Sequence, residues 1–134
     1  VYANKNMKNH HGGVLFYDGY LYGYSDKVGW TCLNFETGEI VWNEKDDDVG
    51  KGSVTCVNGQ LYLVGERRGV IGLIDASPAG FSLHGQFTLD PKSEIRSPRG
   101  KIWTHPVVLN GRLYLRDQDI IYCYDIGDPR VARN

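Results

Sequence analysis

Four histidines, three cysteines and a short acidic run are the side chains of this 134-residue chain whose chemistry could serve catalysis or metal binding. His10 and His11 are adjacent and the other two histidines lie far along the chain, so no two have the i, i+4 spacing of a helical zinc pair. No serine lies in a G-x-S-x-G sequence, and no histidine has a patterned acid or nucleophile partner. The spacing therefore predicts neither a zinc site nor a catalytic triad.

Charged residues are balanced along the chain. The formal net charge is -1 at pH 7, whereas duplex nucleic acid is usually bound by a concentrated basic face, so nucleic acid is not an expected partner. The run Asp46 to Asp48 lacks the alternating turn residues that fold oxygen ligands around calcium. We expect this run, Arg67-Arg68 and the basic run from Arg96 to Lys101 to be solvated loops.

The chain ends carry little targeting information. No apolar run approaches the ~20 residues of a membrane helix, so no membrane span is predicted. The polar N-terminus, VYANKNMKNHHGG, resembles no signal peptide and does not begin with Met, which suggests a segment of a longer protein. Its first six residues could supply an extra strand to an incomplete sheet of this chain or of a neighbour.

Three similar segments indicate an all-β fold. They are VLFYDGYLYGY from Val14, VTCVNGQLYLV from Val54 and PVVLNGRLYLR from Pro106. Each has an apolar run, then Asp-Gly or Asn-Gly, then Leu-Tyr. An Asp-Gly or Asn-Gly step between two apolar runs is the strongest short-range signal for a β-hairpin. The turn glycines are 40 and 52 residues apart, a spacing typical of β-propeller blades.

Each hairpin is followed by a third strand, and the first two units continue into a fourth. Cys32, Leu73 and Cys123 occupy equivalent positions in these third strands, and the two cysteines are expected to be small, buried residues. An odd number of cysteines without C-x-x-C spacing predicts neither a disulfide framework nor a zinc knuckle. The fourth strand of the first unit follows Thr37-Gly38.

The predicted architecture is a single partial propeller domain over residues 1–134, made of antiparallel four-stranded blades. It contains about two and a half to three blades, at residues 12–45, 52–90 and 103–126, with an inserted loop at 91–102. Propellers close with about four to eight blades, so this number cannot close a ring. Open blade edges and bare blade faces predict self-association.

A specific motif links the first unit to a known family. The segment CLNFETGEIVW resembles the tryptophan-docking motif of quinoprotein-type, or PQQ-like, β-propellers, which has the form Ala-x-Asp-x-x-Thr-Gly-x-x-x-Trp. Cys32, Asn34, Thr37, Gly38 and Trp42 fill its five positions, with three identities. The resemblance implies that Thr-Gly turns between the third and fourth strands and that the tryptophan packs over the neighbouring blade.

The same resemblance sets the functional expectations. The chain is similar to the C-terminal portion of exported, periplasmic bacterial proteins of this family, many without an assigned activity. It implies a non-enzymatic scaffold for protein interaction or ligand binding, with no cofactor. The alternatives are a fragment of a PQQ-dependent dehydrogenase, which would require PQQ and calcium, and a sensor that binds a sugar or small anion.

Repeat alignment also predicts a ligand site. In propellers the first strand of each blade lines the axis, so residues entering it surround one mouth of the channel. His11, Lys51, Trp103 and His105 align there, and together they could recognise an anionic or sugar-like ligand. Trp103 could equally be a packing contact.

Tyr22, Tyr62 and Tyr114 share one repeat position, and we expect them to pack between blades with each hydroxyl at a wet rim.

Overall fold

The computed structural model describes residues 2–127, which form eleven β-strands and no helix. The strands make three antiparallel sheets of four, four and three strands, in chain order, and the described chain forms no closed ring. The all-β prediction is therefore confirmed. Within this range there is no helix long and apolar enough to cross a membrane.

Each sheet is a simple meander of consecutive strands. Sheet 1 contains β1 (Val14–Tyr17), β2 (Tyr20–Ser25), β3 (Gly29–Asn34) and β4 (Ile40–Glu44). Sheet 2 contains β5 (Gly52–Val57), β6 (Gln60–Gly65), β7 (Val70–Asp75) and β8 (Leu83–Thr88). Sheet 3 contains β9 (Val107–Leu109), β10 (Arg112–Asp117) and β11 (Ile120–Asp125).

The three predicted hairpin turns are present. Asp18-Gly19, Asn58-Gly59 and Asn110-Gly111 join the first and second strands of the three sheets, and all six residues have positive φ angles between 47° and 83°. Two consecutive positive φ angles define the type I′ turn, which Asn-Gly and Asp-Gly adopt with little strain. The local sequence is therefore sufficient to set these hairpins.

The sheets pack face to face through two apolar clusters. The first cluster joins Tyr22, Trp30 and Cys32 of sheet 1 to Leu61, Leu63 and other residues of sheet 2. The second joins Val64 and Ile71, on the opposite face of sheet 2, to Leu113, Leu115 and Tyr122 of sheet 3. Sheet 2 is thus covered on both faces, which explains why β6 and β7 are almost continuously buried.

Sheet 3 has one uncovered face. Paired residues of antiparallel strands lie on the same face, and the register places Val107, Tyr114 and Cys123 in one row beside Leu109 and Ile121. The exposed fractions of Val107, Leu109 and Ile121 are 56%, 58% and 71%. We call these five residues the open face of sheet 3.

Burial at the equivalent positions differs from the prediction. Cys32 is buried, but Leu73 is half-buried and Cys123 is exposed, because sheet 2 covers Cys32 whereas Cys123 belongs to the open face. The predicted wet rim is also wrong for Tyr22, which is 1% exposed. Its hydroxyl is enclosed between sheets 1 and 2, where it makes no hydrogen bond of normal geometry among the described residues and has the weakly polar Cys32 thiol as a neighbour.

The segment between β8 and β9 forms no strand and is anchored on sheet 3. The backbone N–H of Ser93 donates to Asp117 Oδ2 (3.2 Å), and the Tyr122 hydroxyl donates to the backbone oxygen of Pro91. Arg96 is wrongly predicted to be solvated. Its side chain is 14% exposed and its Nη2 lies 3.7 Å from the carboxylate of Asp117, which is fully buried.

The N-terminal segment lies against sheet 1 but forms no strand in this chain. The amides of Asn4 and Asn6 donate to the backbone oxygen of Gly38 (3.0 and 2.8 Å), and the Tyr2 hydroxyl donates to that of Phe35 (2.8 Å). The methyl group of Met7 lies beside Gly23, on the side of sheet 1 opposite to sheet 2. The segment therefore covers the turn before β4 and part of the outer face of sheet 1.

Candidate functional site

Three of the four predicted mouth residues contact one another. The rings of His11 and Trp103 are 4.5 Å apart between centroids and tilted by 37°. The imidazole Nε2 of His105 donates to the backbone oxygen of His11 (2.8 Å). Gly13 makes this contact sterically feasible, because a Cβ atom there would lie 2.9 Å from the His105 ring. Residues 92 positions apart in sequence thus meet at one end of the sheets.

Lys51, the fourth mouth residue, is held by other groups. Its Nζ forms an ion pair with Asp26 and donates to His10 Nδ1 (3.2 Å), and the His10 and His11 rings are 3.8 Å apart. The hydrogen bond from Lys51 holds the pKa of Asp26 below its usual value. Lys51 is therefore connected to the aromatic pair through His10, with its charge balanced by Asp26.

Glu66 is a mouth residue that the sequence did not indicate. It is 6% exposed, and its two carboxylate oxygens accept from Lys101 Nζ (2.9 Å) and Trp103 Nε1 (3.1 Å). Its backbone oxygen also accepts from the N–H of Ile102 (2.8 Å). In sequence Glu66 precedes two arginines in a turn, and its partners lie 35 or more residues away, so local patterns predict only a solvated turn.

Close backbone approach shapes this end of the molecule. A Cβ at Gly12 would lie 1.9 Å from the backbone oxygen of Gly52, and one at Gly52 would lie 1.7 Å from that of Val64. Glycine at position 12 lets the chain entering β1 approach β5 of sheet 2, and glycine at position 52 lets β5 lie close against β6 within sheet 2. The result is a cavity of only about 10 Å³ beside His11, Glu66 and Trp103, which could hold at most one water molecule.

A wider cleft opens next to this cavity, between the turns of sheets 1 and 2. Its volume is about 450 Å³ and its lining carries charges of both signs. The lining residues are Tyr24, Asp26, Lys27, Lys45, Asp46, Asp47, Gly50, Lys51, Glu66 and Arg67. Within residues 2–127 no three His, Cys, Asp or Glu side chains are placed to hold a metal ion. The arrangement offers polar recognition rather than an activated nucleophile.

The tryptophan-docking residues form a turn that ties sheet 1 to sheet 2. The side-chain oxygen of Asn34 accepts from the N–H groups of Glu36 and Thr37 (2.9 and 3.0 Å), and Gly38 has a φ of 71°. After this turn, Trp42 Nε1 donates to the backbone oxygen of Ser77, in the β7–β8 connection (2.8 Å). Trp42 therefore bonds directly to the neighbouring sheet.

Cys32 lies beneath this turn, opposite Tyr22 in the β2–β3 register. Burial raises the pKa of the Cys32 thiol and also that of the Tyr22 hydroxyl. Both groups are therefore neutral at ordinary pH. A neutral, enclosed thiol is a poor nucleophile, which assigns Cys32 to packing.

No family model matches the chain, and no curated protein matches its sequence.

Proposed function

We propose that this chain is part of a PQQ-like β-propeller that acts as a non-enzymatic scaffold for protein interaction or ligand binding. Three features support the propeller class: successive meander sheets that stack in chain order, contacts among the first strands β1, β5 and β9, and the bond from Trp42 to the next sheet. The family resemblance extends the proposal to an exported, periplasmic protein of bacteria.

The open face of sheet 3 is the observation that carries the scaffold function. Tyr22, Tyr62 and Tyr114 occupy one repeat position, and Tyr22 and Tyr62 belong to the clusters that pack against the following sheet. Tyr114 lies on the open face, beside apolar side chains that are more than half exposed. The equivalent faces of sheets 1 and 2 are covered by the following sheet. An exposed apolar face at the same place in sheet 3 therefore indicates a contact surface.

The proposed occupant of the open face, in a solution of this chain, is a second copy. The other end of the stack is partly covered, since the N-terminal segment lies on the outer face of sheet 1. Arg112 and Asp125, which are paired in register, place one charge of each sign beside the apolar residues. Arg116 lies on the same side of the sheet, opposite Ile121, so a second copy related by a twofold axis would meet apolar surface and charges of both signs.

The dehydrogenase alternative requires residues that could hold PQQ and calcium, and those described here do not fit that role. Both carboxylate oxygens of Glu66 are used by Lys101 and Trp103, and Asp26 is paired with Lys51. The cysteines at positions 32, 56 and 123 are free thiols in separate strands. No catalytic step is therefore derived through PQQ.

Addition of PQQ and Ca²⁺ to the purified chain distinguishes the scaffold proposal from the dehydrogenase alternative. We expect no quinone absorbance to co-elute with the protein on gel filtration, and no calcium-dependent reduction of a dye by an added alcohol. Heat-unfolded chain provides the background for non-specific adsorption. Quinone that co-elutes only with the folded chain, together with dye reduction that needs calcium, would overturn the scaffold proposal.

A further inference from the structure

A cleft of about 300 Å³ adjoins Trp103, distinct from the small cavity beside His11. It is lined by Lys101, Ile102, Trp103 and Thr104 of the segment before β9, and by Arg116 and Gln118 of the β10–β11 hairpin. The Thr104 hydroxyl donates to the backbone oxygen of Arg116 (2.6 Å), which ties the two walls together. The volume is at the lower end of the range of small-molecule sites.

Trp103 provides this cleft with a fixed aromatic wall. The indole N–H is bonded to Glu66, and His11 packs on the ring, so both the tilt and the rotation of the side chain are restrained. The side chain nevertheless remains 54% exposed. An exposed, restrained ring of this kind is suited to stack on a flat, weakly polar ligand surface, such as the C–H face of a pyranose.

Arg116 provides a prepared anion-binding group opposite this wall. Its Nε donates to the backbone oxygen of Gln118 (2.7 Å), which fixes the plane of the guanidinium. In the part of the chain that the structure describes, its two terminal nitrogens form no hydrogen bond or ion pair. Their geometry matches the two oxygens of a carboxylate.

The charges around the cleft favour an anion. Lys101 also lines the cleft, but its charge is balanced by Glu66, so among the described residues Arg116 is the lining cation without an ion pair. Asp119, which follows Gln118, is turned towards the hydroxyl of Ser93 (2.6 Å). The lining set thus contains two cations, a hydroxyl and an amide, but no carboxylate.

We propose that this cleft binds an acidic sugar, in which a pyranose ring stacks on Trp103 and a carboxylate pairs with Arg116. The hydroxyl of Thr104 and the amide of Gln118 would bind ring hydroxyl groups. This inference deepens the ligand-binding form of the proposed function and rests on it. The cleft is not the mouth site predicted from sequence, because the two sites have only Trp103 in common.

Titration of the chain with glucuronate tests the proposal, followed by NMR at the indole N–H of Trp103 and the Nε–H of Arg116. Glucose supplies the ring without the charge, and acetate supplies the charge without the ring. We expect glucuronate to shift both signals saturably and to bind about tenfold more tightly than either control, because each control lacks one of the two contacts.

Two matched variants locate the site. Arg116→Gln removes the guanidinium from the cleft, whereas Arg112→Gln removes one from the same strand outside it. We expect about tenfold weaker glucuronate binding for Arg116→Gln and no change for Arg112→Gln. Equal effects of the two variants, equal affinities for glucuronate and either control, or the absence of a saturable shift would overturn the acidic-sugar assignment.

Self-association of Trp103→Ala, measured on the same samples, separates this inference from the scaffold itself. Trp103 lies outside the open face, so the variant is expected to associate as the unmodified chain does while losing glucuronate binding. A chain that associates through the open face but never binds glucuronate overturns only the ligand. A chain that does neither overturns the scaffold as well.

Discussion

Glu66 and Tyr22 are both buried polar residues, but they differ in whether their polar atoms have hydrogen-bond partners. Glu66 has both carboxylate oxygens paired, with Lys101 and with the indole of Trp103, so its burial is compensated. Tyr22 has an enclosed hydroxyl without a partner in the described chain, and its register neighbour is the weakly polar thiol of Cys32. The mouth is therefore a hydrogen-bonded network, whereas the junction between sheets 1 and 2 contains two buried groups without a partner in the described chain, the Tyr22 hydroxyl and the indole N–H of Trp30.

Removal of the Tyr22 hydroxyl is expected to stabilise the chain. An unpaired buried hydroxyl costs about 1–3 kcal/mol, so Tyr22→Phe should raise the free energy of unfolding by about 1 kcal/mol, measured by urea titration. Tyr20→Phe, a half-buried tyrosine on the same strand, is the control and should change it by less than about 0.5 kcal/mol. A destabilised Tyr22→Phe variant would show that the hydroxyl has a partner.

The buried hydroxyl of Tyr22 predicts that the stability of the folded chain decreases at alkaline pH. Burial raises the pKa of Tyr22 above the ordinary tyrosine value of 10.0. Above that pH the unfolded chain loses the phenolic proton while the folded chain keeps it, so stability is full below about pH 10 and falls as the pH rises further. The decline in melting temperature above pH 10 should be smaller in Tyr22→Phe than in Tyr20→Phe. Identical declines would contradict this.

The elements of this chain are held together by contacts that differ greatly in sequence separation. The hairpins depend on Asp-Gly and Asn-Gly steps, whose turn geometry is local. The turn before β4 is local too, because Asn34 bonds to the N–H groups that follow it, but Trp42 reaches Ser77, 35 residues away. The stacking of sheets therefore depends on a few long-range contacts added to locally determined meanders.

This difference explains which parts of the fold and of the candidate site can be predicted from the sequence. The strand pattern, the turns and the cluster of His11, Trp103 and His105 followed from repeats, because a repeat converts sequence offset into spatial position. Glu66 and Arg96 could not be found in this way. Their partners, Trp103 and Asp117, lie 37 and 21 positions away, and nothing in the local sequence distinguishes these two charges from solvated ones.

Loss of the indole N–H of Trp42 is expected to weaken the junction of sheets 1 and 2. Trp42→Phe removes the bond to Ser77 and part of the packing on Phe81, and should lower the free energy of unfolding by about 1–3 kcal/mol. As a control, Phe16→Leu changes an aromatic side chain on β1 that is 57% exposed and should cost less than about 1 kcal/mol. Equal losses in urea titration would argue against a specific docking role for Trp42.

The whole molecule is a stack of three sheets with unequal ends. Sheet 2 is covered on both faces, sheet 1 is partly covered by the N-terminal segment, and sheet 3 presents its open face. An exposed apolar face of this kind favours association. We propose that the open face continues, in a second copy, the stacking that joins sheets 1 to 2 and 2 to 3.

The native mass of the chain, measured by light scattering after size-exclusion chromatography, shows whether the open face binds a second copy. Two isoleucines, Ile121 on the open face and Ile95 in the segment before β9, are each 71% exposed, so their replacement by lysine forms a matched pair. We expect a mass above the 15.1 kDa monomer that rises with concentration, a monomer for Ile121→Lys, and unmodified behaviour for Ile95→Lys. A monomer at every concentration, or equal effects of the two substitutions, would contradict the proposal.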